Sequence, residues 1–221
     1  MFFVLALQIN YLKAQNRYEI GGLPTLNFNK KITKKWSVNF QYATRHLFKS
    51  GDFGGDSNTN YDFILSDYTL LTSKKVGLNN KLTGGLLYRR EQGETILRAI
   101  QQFTIVRRYA NFRLAHRFVT DQTFEDQEDF AFRFRYRLAS EIPLNGNVAD
   151  TNEFYLKINN EYLQLFQGNQ YDIEIRFIPM LGYVLKNGQK VEFGLDYRVN
   201  NFMNADAEHT FWTGINWFIQ L

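Results

Sequence analysis

Between residues 130 and 139 the chain alternates without a break. Phe130, Phe132, Phe134, Tyr136 and Leu138 take one side, and Ala131, Arg133, Arg135, Arg137 and Ala139 the other. A period of two is strand geometry, because successive side chains point to opposite faces. The pattern recurs. Trp36, Val38, Phe40 and Tyr42 oppose Ser37, Asn39, Gln41 and Ala43, and Tyr171, Ile173, Ile175 and Phe177 oppose Asp172, Glu174 and Arg176. Val191, Phe193, Leu195, Tyr197 and Val199 oppose Glu192, Gly194, Asp196 and Arg198. The last segment sets Phe211, Thr213, Ile215, Trp217, Ile219 and Leu221 against Gly214, Asn216 and Gln220. Looser alternation covers 61–72, 82–90, 95–106, 112–120 and 154–165; with 20–29 this makes eleven candidate strands. No helical segment of useful length interrupts them, which excludes a βαβ fold and its ligand crevice.

The connections fall into two sets. One is tight or basic, with Lys30, Lys31, Lys34 and Lys35, then Lys74 and Lys75, Arg107 and Arg108, and Lys186-Asn187-Gly188-Gln189. Asn187-Gly188 is the pair favoured in a type I′ hairpin, where both central residues need positive φ. The other set reads as mostly longer and acidic, with 50–60, 91–94, 121–129 and 200–208. Outer-membrane barrels pair short periplasmic turns with longer external loops. The segment 141–151 is long yet falls on the short side.

Alternation alone does not separate a membrane barrel from a soluble sheet. The 221 residues include 21 Phe, 13 Tyr and 3 Trp but only 3 Pro and no Cys. No stretch approaches the roughly 20 apolar residues of a membrane-spanning helix. Disulfides and thiolate metal sites are excluded. The net charge of +4 is scattered, giving no basis for nucleic-acid binding. Successive hairpins of long strands close into a barrel that leaves no unpaired edge in lipid. A barrel of this size holds so many large apolar groups outside more easily than inside. The pattern therefore predicts one all-β domain, an antiparallel up-and-down transmembrane β-barrel of about 10–12 strands. An even count, ten or twelve, is preferred, with 20–29 threading or capping the lumen, or 17–23 and a later piece dividing differently.

Both ends of the sequence carry addresses. The apolar run Met1–Leu7 followed by Leu12-Lys13-Ala14-Gln15 reads as a secretory signal peptide over residues 1–14, although its basic leader is missing, with the barrel over 15–221. The final aromatic strand resembles the C-terminal signal read by the barrel-assembly machinery, but it ends in Leu221 where such proteins usually end in Phe. The expected location is a Gram-negative outer membrane, with outer-membrane lipid as the surrounding partner.

Leu26-Asn27-Phe28-Asn29-Lys30-Lys31, Lys35-Trp36-Ser37-Val38-Asn39-Phe40, Phe112-Arg113-Leu114-Ala115-His116-Arg117-Phe118 and Gly194-Leu195-Asp196-Tyr197-Arg198 together resemble the uncharacterised bacterial family called domain of unknown function 2490. The resemblance implies an outer-membrane-type barrel. It supplies no activity and no catalytic residues.

The candidate chemistry is the charged face opposite the apolar one. Arg133, Arg135 and Arg137 form a ladder. Glu174, Glu192 and Asp196, in the same inward register, are its candidate partners, with Arg176 and Arg198 beside them. Arg89, Arg113, Arg117, Lys157 and Glu161 share that face. Full pairing closes the lumen, whereas a bare column favours anions. No catalytic set is found. His116 lies on the apolar face without the serine that a barrel lipase places near its histidine, and His46, His116 and His209 lack metal-ligand spacing. The acidic stretch 121–129 lacks the glycine and spacing of a calcium loop and reads as a solvated external loop. The expectation is a noncatalytic porin-like barrel with an ion-paired lumen and no cofactor. It would serve envelope structure, docking or narrow solute passage. The alternatives are a lipid-modifying barrel enzyme and a soluble periplasmic β-sandwich or lipocalin-like binder.

Overall fold

In the computed structural model, which describes residues 17–125, 128–201, 203 and 207–221, eleven strands form one closed barrel. The expected signal segment 1–14 lies outside the described residues. The strands are β1 (Arg17–Lys31), β2 (Trp36–Asp52), β3 (Ser57–Lys75), β4 (Asn80–Glu91), β5 (Glu94–Arg108), β6 (Arg113–Glu125), β7 (Ala131–Pro143), β8 (Phe154–Gln167), β9 (Gln170–Val184), β10 (Lys190–Asn200) and β11 (Glu208–Gln220). Each pairs antiparallel with the next, and β1 closes the circle by pairing parallel with β11, from Arg17↔Glu208 to Asn29↔Gln220. Residues 20–29 are thus part of the wall, and the expected ten or twelve strands are corrected to eleven. Parallel closure leaves no free edge, so the count need not be even.

The strands run further than their strict alternation. β2 and β3 continue past bulges at Arg45/His46 and Leu47/Lys49 to the hairpin at 53–56. β6 takes in Asp121 to Glu125, which the sequence had assigned to an external loop; Asp126 and Gln127 of that loop lie outside the described residues. The predicted difference in loop length is therefore overturned. Several acidic connections are mostly strand, and the longest connection on the basic rim, 144–153, is the exception already visible in the sequence. The difference in charge persists. Asn187 and Gly188 have φ of 62° and 73°, as the type I′ reading requires.

Polarity is inverted relative to a soluble barrel. Leu70, Leu82, Leu86, Leu181, Phe193 and Ile215 are exposed on the outside, while Arg98, Asp121, Glu161, Glu192 and Asp196 are buried within. The closed barrel excludes the open sandwich. Ring pairs gather at both rims. Tyr18–Phe53, Phe124–Phe130 and Phe166–Tyr171 lie at the acidic rim, and Tyr109–Phe112 and Phe154–Tyr183 at the basic one. The outer face is not uniformly apolar. Gln101, Thr120 and Gln122 hydrogen-bond to one another there, satisfying their own polar groups.

Two large aromatics fill the interior by lying across glycines. Trp212 faces Gly21 in register, and Tyr155 faces Gly182; a Cβ on either glycine would occupy the space of the ring. Both rings are almost completely buried.

Candidate functional site

Within the barrel the alternation of β7 turns Arg133, Arg135 and Arg137 inward. The neighbouring strands supply the counter-charges, because an adjacent strand lies only about 4.8 Å away. Asp121 of β6, fully buried, accepts from Arg133 Nε at 2.5 Å and Arg135 Nη2 at 2.8 Å, and Arg98 of β5 lies 3.5 Å away. Glu161 of β8 accepts from Arg137 Nε at 2.5 Å, with Arg176 Nη1 of β9 at 3.0 Å and Arg135 Nη1 at 3.8 Å. Two carboxylates thus serve five guanidiniums.

Glu174, Glu192 and Asp196 face inward as expected, but they are not the ladder's partners. Glu174 accepts from Arg176 at 2.6 Å, and Asp196 holds Arg198 through two bonds of 2.8 Å. Glu192 takes Lys157 Nζ at 2.8 Å and Tyr155 Oη at 2.9 Å. The correction has a geometric cause. Glu174 on β9 stands two strands from β7, and Glu192 and Asp196 on β10 stand three away, whereas Asp121 and Glu161 stand one away. Tyr155 and Glu192 both lie in register with Gly182, so the missing side chain on β9 lets the phenol span that strand. Arg89 is fixed by Asp67 at 2.7 Å and Glu91 at 3.2 Å, and Arg113 by Glu141 at 2.6 Å.

Sequence reasoning missed Asp121, Arg98, Arg45 and Asp67. For Asp121 the signal was present. Arg117, Val119 and Asp121 continue one alternation, and treating 121–129 as a unit hid it. Arg45 follows Ala43 in the inward series of β2, and its guanidinium lies 5.1 Å from the ring centre of Trp212. Residual exposure of inward side chains points to open lumen space: Arg135 retains 19% and Arg137 23%.

All three histidines face outward and pair with tyrosines on an adjacent strand. His46 Nδ1 meets Tyr61 Oη at 2.9 Å, His116 meets Tyr136 at 2.9 Å, and His209 meets Tyr197 at 2.8 Å, each with stacked rings. Among the described residues, His46 alone of the three also has a hydroxyl on its other nitrogen, Thr44 Oγ1 at 2.9 Å. Because the same pairing recurs at His116 and His209, it is a device for placing imidazole on an apolar face, not a catalytic relay. Among the described residues no cluster of three or more His, Cys, Asp or Glu could hold a metal ion.

At the acidic rim, loss of solvent and then Glu128, Glu91 and Glu94 hold the Glu125 carboxyl above its ordinary range.

Residues 21–209 match the family described as "Protein of unknown function (DUF2490)". The chain belongs to this family. The DUF2490 match takes in the lumen ion pairs from Asp67 to Arg198. Comparison with curated proteins and with solved structures finds no match.

Proposed function

We propose that this DUF2490 barrel is an integral, noncatalytic protein of a bacterial outer membrane whose polar lumen is narrowed by ion pairs and passes small charged solutes. The observation that carries the reading is the inverted polarity: exposed aliphatic and aromatic side chains cover the outer wall, and paired charges lie inside beside a smaller set of buried apolar groups. In water such an outer face would favour aggregation. In lipid it matches the solvent, and closure satisfies every strand edge. Rings at both rims suit the two membrane interfaces.

The acidic rim is the external one in this proposal, and the basic rim, where β11 ends, faces the periplasm. Asp56→Cys should react with a membrane-impermeant maleimide on intact cells, and Lys186→Cys only after the outer membrane is opened. The native chain has no competing thiol. The reverse labelling pattern would invert the orientation. Recovery of the protein as a soluble periplasmic species would remove the membrane from the proposal. Conductance in a planar bilayer then reads the passage directly; a folded barrel with none is a plug.

A further inference from the structure

We infer that the lumen contains a binding site for a small oxyanion of the phosphate class, centred on Arg117. The starting point is a row of register partners around the inner wall. Arg117 of β6 stands opposite Arg137 of β7, which stands opposite Glu161 of β8, then Arg176 of β9 and Arg198 of β10. Like charges directly opposite each other on one face of a sheet are destabilising. Four of these five groups have ion-pair partners: Arg137 and Arg176 share Glu161, Arg176 also holds Glu174, and Arg198 holds Asp196. Arg117 has none among the described residues, and its facing neighbour is a cation.

The deficit extends beyond one residue. Five guanidiniums, Arg98, Arg133, Arg135, Arg137 and Arg176, contact three carboxylates, Asp121, Glu161 and Glu174, and Arg117 adds a sixth cation with no such contact among the described residues. Among the described residues, the buried donors Arg133 Nη2 and Arg135 Nε have no hydrogen-bond partner, and neither does the acceptor Glu161 Oε1, which is held only by ion pairing with Arg176 and Arg135. Ordered water could take those donors but brings no charge. Unopposed cations inside a barrel wall are costly, and the group that answers both deficits is a multivalent anion with several acceptor oxygens. Arginine forks suit a phosphate-type oxyanion because they donate parallel N–H bonds to adjacent oxygens. Arg117 is only half-buried, and for an inward side chain that exposure faces the lumen, where a solute arrives.

This inference rests on the proposed passage only for how the anion reaches the site. The test therefore reads binding without a membrane. Full-length barrel in detergent is melted in buffers of equal ionic strength, with gluconate as the background anion and inorganic phosphate as the probe. A ligand that binds only the folded state raises the melting temperature with its concentration. The wild type should gain several degrees with phosphate, and Arg117→Gln should lose that gain. In phosphate-free buffer Arg117→Gln should melt no lower than wild type, since a repelling charge has been removed. Arg113→Gln, at a rim and paired with Glu141, should respond like wild type. Indifference of the wild type to phosphate, or an undiminished response in Arg117→Gln, would overturn the site. Should Arg117→Gln not fold, Arg117→Lys, which keeps the charge but not the fork, must respond more weakly than wild type, and an equal response overturns the proposal. Stabilisation by phosphate together with zero bilayer conductance would remove the passage and leave the anion site standing.

Discussion

Tyr155 lies across the backbone of Gly182 and donates its hydroxyl to Glu192 on the strand beyond, at 2.9 Å. The glycine is what makes the bond possible. Gly182→Ala should displace the ring, break the bond and cost about 1–3 kcal/mol by overpacking. The midpoint of the heat-induced gel shift in detergent measures it. Tyr155→Ala should make the same glycine substitution nearly harmless; additive losses would mean the two residues do not interact.

Asp121 carries more of the network than any residue of the ladder it serves. Asp121→Asn leaves Arg98, Arg133 and Arg135 facing one another without their shared carboxylate. Removing one partner of a buried pair costs about 3–5 kcal/mol. Urea unfolding in detergent should show a loss of that order, and a smaller one for Glu174→Gln, because Arg176 retains Glu161. Equal losses would contradict the shared-carboxylate geometry.

The outer wall can be probed at Leu86, exposed at the middle of β4 beside Leu70. Leu86→Arg should lower stability in lipid by about 2–4 kcal/mol, the penalty for a cation at mid-membrane on a lipid-facing strand. Leu86→Phe should be tolerated. Similar behaviour of the two in vesicles would argue that this face does not meet lipid.

The seam is open to a chemical test, since the chain has no cysteine. Thr25 and Asn216 are register partners across β1 and β11. Thr25→Cys with Asn216→Cys should oxidise to a disulfide in the folded barrel, as cross-strand Cα spacing allows. Thr25→Cys with Gln220→Cys, four residues out of register, should not. Cross-linking of the second pair but not the first would refute the parallel closure.

Much of the wall could be read from the sequence because period two is a local signal. The runs at β7, β9, β10 and β11 carry it residue by residue. The partners of the arginines could not be read, because pairing depends on which strands adjoin and in what register. Glu174 has the same inward parity as Asp121, but only Asp121 stands next to β7. Arg45 was within reach of the alternation, one step beyond Ala43, and only past it does the register shift between Arg45 and His46 stop alternation from reporting the face. The strand count was legible as eleven, and the preference for an even number overrode it.

The parallel seam also sets how the barrel bears load. Residue 17 sits at one rim and residue 221 at the other, on adjacent strands paired in register from Arg17↔Glu208 to Asn29↔Gln220. Tension between those two points slides β1 along β11 and loads all their cross-strand bonds together. A barrel with an even number of hairpin-linked strands has its termini on one rim, where the same pull would peel its first and last strands apart one bond at a time. Pulled by its ends, this wall would resist as a shear joint, and should yield at a higher force than an even-stranded barrel of similar stability.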